Sequence, residues 1–223
     1  VKPSFQHYTT LCRPHSVTMG NAVTFLKTAI QNLDRDVEVE EAKETLLDLI
    51  DAYVTERITF AGEIIAKFAL TKIAPGDVIL IYGHVEVMEV ILGEVPQKDS
   101  VRVIVADSRP LWEGKKMLSK LVKKGLNCSY ILLNSLSYVM KDVTKVFLGA
   151  AALMSDGSIL SRVGTASVAL MAKASNIPVL VACETYKISH RVQLESITGN
   201  ELGDPDEVAR TTGRDGGFIL EGE

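Results

Sequence analysis

The spacing of apolar residues changes near residue 75, and the two parts of the chain predict different structures. In "SVTMGNAVTFLKTAIQNL", and again from about Glu40 to Ile73, apolar residues recur every three or four positions. This spacing is typical of amphipathic helices, and Ser16 is a suitable N-terminal cap for the first of them. The second helix is expected to end at "APGD", because a proline disfavours the helical conformation in the residue before it. We therefore predict a helical domain over residues 1–74.

Beyond residue 75, short apolar runs alternate with helical stretches. The runs are nearly continuous in Val, Ile and Leu, as expected for parallel strands that are buried on both faces. The predicted strands are VILIY (78–82), VRVIVA (101–106), SYILL (129–133), KVFLG (145–149) and PVLVA (178–182). The predicted helices between them cover about 85–92, 113–124, 136–141 and 163–175. This alternation predicts an α/β fold in which a Rossmann-like, doubly wound parallel sheet over residues 75–223 follows the helical domain.

Composition and charge narrow the class of protein. The 223 residues carry a formal net charge of −4, which argues against a general nucleic-acid binder. No apolar run approaches the roughly 18 residues that a membrane helix needs. Three cysteines without a CxxC pair argue against a zinc site or a disulfide framework and favour the cytosol. The sequence starts with Val rather than Met, so we expect it to be part of a longer protein.

Candidate chemistry is sought in the turns after the strands, because ligands bind at the carboxyl edge of such sheets. The first turn offers only Gly83 and His84. In the second, Ser108 and Arg109 could hold a phosphate or carboxylate at a helix N-terminus, or the turn could simply cap that helix through Asp107. No glycine-rich nucleotide motif is present. We expect no cofactor and no metal.

The remaining turns also lack a complete catalytic set. The third holds serines without a nearby base, and the fourth continues from Gly149 into three alanines. In the fifth, Cys183, Glu184 and His190 resemble a nucleophile set, but His190 lies six positions after Glu184 in an undefined loop. Nucleophilic catalysis needs a base within hydrogen-bond reach of the nucleophile. The sequence therefore predicts no catalytic residue.

Several stretches taken together identify a family resemblance that covers nearly the whole chain. They are "CRPHSVTMGNAVTFLK", "APGDVILIYGHVEVMEVIL", "VIVADSRPLWEGKKML", "FLGAAALMSDGSILSRVGTASVALMAK", "IPVLVACETYK" and "NELGDPDEV". The chain resembles the regulatory subunits of eukaryotic translation initiation factor 2B, in which similar stretches occur in the same order. The wider family includes isomerases that act on methylthioribose 1-phosphate or ribose 1,5-bisphosphate.

The resemblance to the isomerases implies a loss of catalysis. Those enzymes carry a catalytic cysteine after the first strand and a catalytic aspartate after the "GA" of the fourth, where this chain has Gly83 and Ala151. Neither side chain can exchange a proton. Arg13 and Arg109 match the family's anion-binding frame, whereas Glu113 stands where the isomerases tend to carry a glutamine. The alternatives are an active sugar-phosphate isomerase and a degenerate sensor of sugar phosphates or nucleotides.

The resemblance to the regulatory subunits implies a place in the cytosolic complex that exchanges GDP for GTP on initiation factor 2. The expected partners are the alpha, beta, gamma and epsilon subunits of that complex and the phosphorylated alpha subunit of initiation factor 2, which links the protein to the integrated stress response. For this phosphorylated partner we predict a contact surface of Glu56, Arg57 and Phe60, which lie near one side of a helix. We expect no direct nucleic-acid contact.

A second contact surface is predicted after the strands. Trp112, Tyr138 and Met140 follow strand ends, and aromatic residues and methionine are enriched in the cores of protein interfaces. The same residues could equally serve the internal core. Both interpretations place them beside the carboxyl edge of the sheet.

Overall fold

The computed structural model describes residues 2–9, 16–34, 36–193, 197, 200 and 202–209. Its first part is helical, as the apolar spacing predicts. The Oγ of Ser16 accepts a hydrogen bond from the amide of Met19 at 3.2 Å, which confirms Ser16 as an N-terminal cap. The helices of this part are α1 (Lys2–His7), α2 (Val17–Gln31), α3 (Val39–Tyr53) and α4 (Phe60–Leu70).

The predicted long helix from about Glu40 to Ile73 contains an irregular turn. Between α3 and α4, Val54–Thr59 forms a π-helical segment, in which backbone hydrogen bonds span five residues rather than four. The chain continues through this segment without leaving the helical path, and α4 ends at Leu70. The faces of α3 and α4 are therefore offset from those of one regular helix.

The five predicted strands are confirmed and form one parallel sheet with the order β3-β2-β1-β4-β7. Two more short strands, β5 and β6, form an antiparallel hairpin that the apolar pattern does not predict. The central strand β1 pairs Ile81 with Val105 on one side and with Phe147 on the other. The strands are β1 (Val78–Tyr82), β2 (Arg102–Asp107), β3 (Asn127–Leu132), β4 (Lys145–Gly149), β5 (Ala152–Leu153), β6 (Ile159–Leu160) and β7 (Val179–Ala182).

Helices cover both faces of the sheet, so the doubly wound fold is confirmed. Alternate residues of β1 enter opposite cores: Ile79 and Ile81 pack with α4 and the first two connecting helices, whereas Leu80 and Tyr82 pack with the last two. A short further helix, α9 (Pro205–Ala209), follows β7 in the chain. The connecting helices are α5 (Glu86–Gly93), α6 (Glu113–Lys123), α7 (Leu136–Val139) and α8 (Thr165–Ala174).

The helical part contacts the α/β part through α2 and α4. Ala66 of α4 is fully buried in the core cluster beneath α5. The side-chain amide of Asn21 donates hydrogen bonds to the carbonyl oxygens of Tyr186 and Ile188, both at 2.8 Å. The division into domains at residues 74 and 75 stays a prediction. In the described part of the chain, no helix has the length and apolarity needed to span a membrane.

A buried carboxylate links two neighbouring strands at the amino edge of the sheet. Asp77 is 7% exposed and forms an ion pair with Lys145. Its oxygens also accept hydrogen bonds from the Thr144 hydroxyl at 2.8 Å and from the Ala74 amide at 2.7 Å. Burial opposes ionisation, but these partners outweigh it and lower the pKa of Asp77. The charged form of Asp77 therefore joins β1 to β4 before either strand begins.

Candidate functional site

The strand order creates a crevice at the carboxyl edge between β1 and β4. The chain runs from β1 outward through β2 and β3, then returns to the other side of β1 to form β4. Ligands of doubly wound sheets bind at this reversal of direction. Gly83 follows β1 with a φ of +66°, a conformation that favours glycine, and Ala151 lies two residues after the end of β4. Both residues singled out by the resemblance thus flank the crevice.

The side chain of Tyr82 fills the floor of the crevice. Tyr82 is 4% exposed, and its hydroxyl lies 2.6 Å from the Ser108 hydroxyl and donates to the Val163 carbonyl at 2.6 Å. Gly164 leaves room for this ring, because a Cβ there would lie 2.3 Å from the tyrosine oxygen. The hydroxyl therefore joins the ends of β1 and β2 to the loop before α8.

An ion pair between Arg162 and Glu113 covers the crevice above Tyr82. The Arg162 guanidinium contacts the Glu113 carboxylate and lies 5.8 Å from the centre of the Tyr82 ring. A Cβ on Gly83 would lie 2.9 Å from Nη1 of Arg162, so this side chain occupies the space above the glycine. The ion pair joins the start of α6 to the loop before α8.

The end of β4 presents small side chains and backbone groups. Val85 packs so closely over Gly149 that a Cβ on the glycine would lie 2.5 Å from the valine Cγ1. The Ser161 hydroxyl donates to the Gly149 carbonyl at 2.9 Å, and the Ala151 amide donates to the Leu160 carbonyl at 2.8 Å. These contacts hold the β5–β6 hairpin against the crevice without placing an acid or base at Ala151.

The histidine beside Gly83 has a lowered pKa. Burial and the positive charges of Lys120 and Lys116 lower the pKa of His84. Its Nε2 is buried, and the described residues offer this atom no hydrogen-bond partner. General base catalysis needs a group positioned to take a proton from a substrate. The described structure shows no such arrangement around His84.

The second predicted turn contains a buried carboxylate that shapes the start of α6. Asp107 is fully buried, and its oxygens accept hydrogen bonds from the Tyr130 hydroxyl at 2.8 Å and the Ser108 amide at 2.9 Å. A Cβ on Gly114 would lie 2.6 Å from the Asp107 Cγ, so α6 approaches closely only because residue 114 is glycine. Burial and the Asp107 carboxylate raise the pKa of Tyr130. Asp107 therefore supports the fold of this turn.

The anion-binding candidates and the fifth-turn residues are the remaining positions that the sequence singles out. Arg109 is exposed in the turn before α6, and Arg13 lies outside the described residues. The fifth-turn residues do not form a catalytic set: Glu184 pairs with Lys187 at 2.7 Å, while His190 is exposed. Burial raises the pKa of the Cys183 thiol. In the described residues, no cluster of three or more His, Cys, Asp or Glu side chains could hold a metal ion.

The predicted subunit contacts have different environments. Tyr138 is 77% exposed on α7, and Trp112 is half-buried with the Lys115 ammonium 5.0 Å from its ring centre. Met140 is only 2% exposed and packs in the core cluster of α7 and α8. This burial favours the internal core, the alternative that the sequence leaves open for Met140, and a role of Met140 in subunit contact stays a prediction.

The predicted surface for the phosphorylated partner lies at the junction of α3 and α4. Glu56 and Arg57 belong to the π-helical segment and Phe60 begins α4, and all three are exposed. Phe60 is 47% exposed. Spacing alone did not predict the π-helical segment, because the apolar residues continue through it at nearly helical intervals. The three residues are close in the chain, but the irregular turn changes their relative direction.

Comparison with known proteins identifies the family. A family model described as the initiation factor 2 subunit family matches residues 6–217. The chain belongs to this family. The match agrees with the resemblance inferred from the motif stretches.

Individual members of the initiation factor 2 subunit family are similar over most of the chain. Translation initiation factor eIF2B subunit delta of Schizosaccharomyces pombe is 44% identical over 202 residues, which cover 90% of this chain and 43% of that protein. In the crystal structure of the tetrameric eIF2B beta2-delta2 complex from C. thermophilum, a matching chain has a TM-score of 0.82 and 34% identity. The match covers 87% of this chain and 63% of that chain.

The chain is also similar to an isomerase, at lower identity. The ribose 1,5-bisphosphate isomerase of Pyrococcus furiosus is 30% identical over 204 residues, which cover 88% of this chain and 61% of that protein. The identity is lower than to the Schizosaccharomyces pombe protein over a similar length. The chain spans less than two thirds of both proteins.

Proposed function

We propose that this chain is part of the delta subunit of initiation factor 2B and acts there as a regulator rather than a catalyst. The 44% identity to a delta subunit over 90% of this chain carries the proposal. The complex exchanges GDP for GTP on initiation factor 2 in the cytosol, and this subunit helps to assemble its regulatory core. That core responds to phosphorylation of the alpha subunit of initiation factor 2.

Assembly with the other subunits is the first consequence to test. Native mass spectrometry of the full-length protein, expressed with the beta, alpha, gamma and epsilon subunits, is expected to show it in a complex that holds two copies of each subunit. The match to a chain of a beta2-delta2 complex supports beta as a partner. A protein that stays alone while the other four subunits assemble would contradict the proposal.

The proposed subunit contact uses Trp112 and Tyr138 at the carboxyl edge of the sheet. The exposure of Tyr138 leaves most of an amphipathic ring available to a partner, and such rings are common anchors in interfaces. Tyr138→Ala should reduce the fraction of assembled protein in native mass spectra. Val39→Ala is a matched control, because Val39 is 67% exposed at the start of α3, away from this edge. Equal losses in both variants would argue against this contact.

The absence of isomerase activity is a separate consequence. The proposed equivalents of the catalytic cysteine and aspartate, Gly83 and Ala151, carry no group that can accept or donate a proton. Tyr82 and Arg162 occupy the space between the strands where a substrate would enter. Purified protein and the assembled complex are therefore expected to show no turnover of ribose 1,5-bisphosphate.

The similarity to ribose 1,5-bisphosphate isomerase favours a second candidate function in the same family. Measurable turnover of ribose 1,5-bisphosphate by the purified protein would favour the isomerase. A degenerate sensor of sugar phosphates or nucleotides, held by Arg109 and Arg13, would show no turnover but a rise in melting temperature with ligand. Neither result is expected for a regulator that works through protein contacts.

The contact with the phosphorylated partner is proposed at Glu56, Arg57 and Phe60. The three residues combine opposite charges with an aromatic ring on an exposed surface, and Val54 and Ile58 beside them are 44% and 45% exposed. Apolar residues with a charged rim are common in interfaces between proteins. Arg57 could donate paired hydrogen bonds to a phosphate or carboxylate of the partner.

A further inference from the structure

A row of lysines runs along one flank of α6. Four lysines recur there at spacings of three or four positions, and side chains at these spacings lie on the same side of a helix. At 1.5 Å per residue, the row is about 12 Å long. The buried face of the helix, formed by Gly114, Met117 and Leu121, lies beside it. The row, called the lysine stripe below, consists of Lys116, Lys120, Lys123 and Lys124.

One carboxylate serves two lysines of the stripe. Glu89 of α5 accepts a hydrogen bond from the Lys120 ammonium at 2.6 Å, and its other oxygen lies 3.4 Å from the Lys124 ammonium. The hydrogen bond from Lys120 is the main cause that lowers the pKa of Glu89. The Lys98 ammonium donates to the Lys124 carbonyl at 2.7 Å and adds a further positive charge at the end of the stripe. The single charge of Glu89 therefore leaves most of the positive charge without a counter-charge.

The two outer lysines of the stripe, Lys116 and Lys123, face solvent. Both are exposed, and among the described residues no carboxylate lies within ion-pair distance of either ammonium. Like charges four positions apart destabilise a helix, and the stripe contains two such pairs. A bound chain of negative charge would remove this repulsion. The free protein therefore presents the stripe in its less favourable, uncompensated form.

The positive potential of the stripe extends to a neighbouring histidine. Burial is the largest cause of the lowered pKa of His84, and the charges of Lys120 and Lys116 come next. Their effect on this pKa exceeds the opposing effects of Glu89 and Glu86. The surface beside α6 is thus locally positive, although the whole chain carries a net charge of −4.

We propose that the lysine stripe is a docking surface for an acidic segment of another protein. An extended peptide advances about 3.3 Å per residue, so about four residues span the stripe. Aspartate and glutamate side chains in such a segment accept charge-assisted hydrogen bonds from the lysine ammonium groups. This surface lies on the outer side of α6, apart from the crevice, and does not depend on the proposed function of the chain.

The surroundings of the stripe favour a peptide over a nucleic acid. Proteins that bind single strands stack the bases on aromatic rings, and α6 contains no aromatic residue. Val122, next to Lys123, is 54% exposed and offers an apolar contact of the kind found between proteins. The net charge of −4 also disfavours a nucleic acid, because distant phosphates of a long strand would be repelled.

Binding of an acidic peptide tests the proposal. A fluorescein-labelled peptide of about ten glutamates, titrated with full-length protein at low ionic strength, should show saturable binding by fluorescence anisotropy. The double variant Lys116→Gln with Lys123→Gln removes the two exposed charges and leaves the contacts of Glu89 in place. It should bind the peptide about fivefold more weakly than the wild type.

A matched control separates the stripe from a general effect of charge. The double variant Lys67→Gln with Lys173→Gln removes the same charge from exposed positions on α4 and α8, and it should bind the peptide like the wild type. Glu89→Gln frees Lys120 and Lys124 from their carboxylate and should tighten binding. Near-ultraviolet circular dichroism of each variant checks that its fold is intact.

Cross-linking locates the bound peptide. A carbodiimide joins a bound carboxylate directly to a neighbouring lysine amine, and mass spectrometry then identifies the lysine. Cross-links between the glutamate peptide and the full-length protein are expected at Lys116 and Lys123. An oligouridine of about ten nucleotides, titrated in the same way, distinguishes a phosphate backbone from an acidic peptide.

Each outcome supports or overturns the docking surface. Weaker peptide binding in the stripe variant, with the control pair unchanged and cross-links at Lys116 and Lys123, supports it. Equal losses in the two double variants, or cross-links confined to other lysines, would overturn it. So would a wild-type protein without saturable peptide binding, or a folded Glu89→Gln variant that binds no more tightly. Oligouridine that binds more tightly than the peptide would assign the stripe to a nucleic acid and refute the acidic protein segment.

Discussion

The sheet buries its apolar residues, whereas the helices before it leave large apolar residues exposed. Phe147 on β4 is 1% exposed, and Ile79 on β1 and Val103 on β2 are fully buried. In contrast, α2 and α3 contain no buried residue in the described structure, and Leu47 and Phe68 are 60% and 72% exposed. The sheet is therefore stabilised by its own packing, whereas the helical part leaves apolar surface for other contacts.

Replacing one aromatic residue in each region should give the largest difference. Phe147→Ala removes a ring that is enclosed by the sheet core, and about 3–5 kcal/mol of unfolding free energy should be lost. Phe68→Ala, at an exposed position of α4, should change it by less than about 0.5 kcal/mol. Urea denaturation of full-length protein measures both. Similar losses would show that the helical part is packed as tightly as the sheet.

The buried charge at the amino edge should give the next largest effect. Asp77→Ala leaves Lys145 without its carboxylate partner, so about 3 kcal/mol of unfolding free energy should be lost at neutral pH. Asp51→Ala is the comparison in the helical part, where the carboxylate is exposed on α3. Its expected effect is within about 0.5 kcal/mol. Urea denaturation at pH 7 measures the two variants side by side.

The contribution of Asp77 should also depend on pH. Because the folded state lowers the pKa of Asp77, its stabilisation is complete above the unfolded value of about 3.9 and is lost as pH falls through the folded value. The stability difference between wild type and Asp77→Ala should therefore narrow below about pH 4. A difference that stays constant down to pH 2 would mean that the ionised carboxylate is not the stabilising form.

Sequence patterns predict the strands of the sheet better than the side-chain contacts at its carboxyl edge. The predicted ranges of β1 and β4 coincide with those of the structure, because strands buried on both faces have uninterrupted apolar runs. The pair of Arg162 and Glu113 was not predicted, since 49 positions separate the two residues in the chain. For Met140, the residue type leaves two interpretations open, because methionine is common both in interfaces and in cores. Contacts between residues that are distant in the chain, rather than local periodicity, determine such ion pairs and whether such a side chain is buried.

The contact beneath the crevice should give a smaller loss of stability. Gly164→Ala would place a Cβ 2.3 Å from the Tyr82 hydroxyl oxygen at a φ of +100°, so about 2–3 kcal/mol should be lost. Gly157→Ala separates the two causes, because it has a φ of +84° and open space around its Cβ. It should cost about 1–2 kcal/mol. If thermal denaturation shows the same loss of stability in Gly164→Ala and Gly157→Ala, the close approach to the Tyr82 hydroxyl does not contribute to the effect.

The smallest change in stability is expected at the exposed junction of α3 and α4, where the consequence should be functional. Glu56→Ala and Phe60→Ala should each alter the unfolding free energy by less than about 0.5 kcal/mol, since both side chains face solvent.

In the assembled complex, the ratio of GDP exchange rates without and with the phosphorylated alpha subunit of initiation factor 2 measures inhibition. Loss of one anchor of about 1.4 kcal/mol would weaken binding of that partner about tenfold and lower this ratio. Leu47→Ala, at a position 60% exposed on α3, should leave the ratio unchanged. An unchanged ratio in both Glu56→Ala and Phe60→Ala would show that the phosphorylated partner does not bind at this junction. The exposed apolar residues of these helices would then need a different partner to explain them.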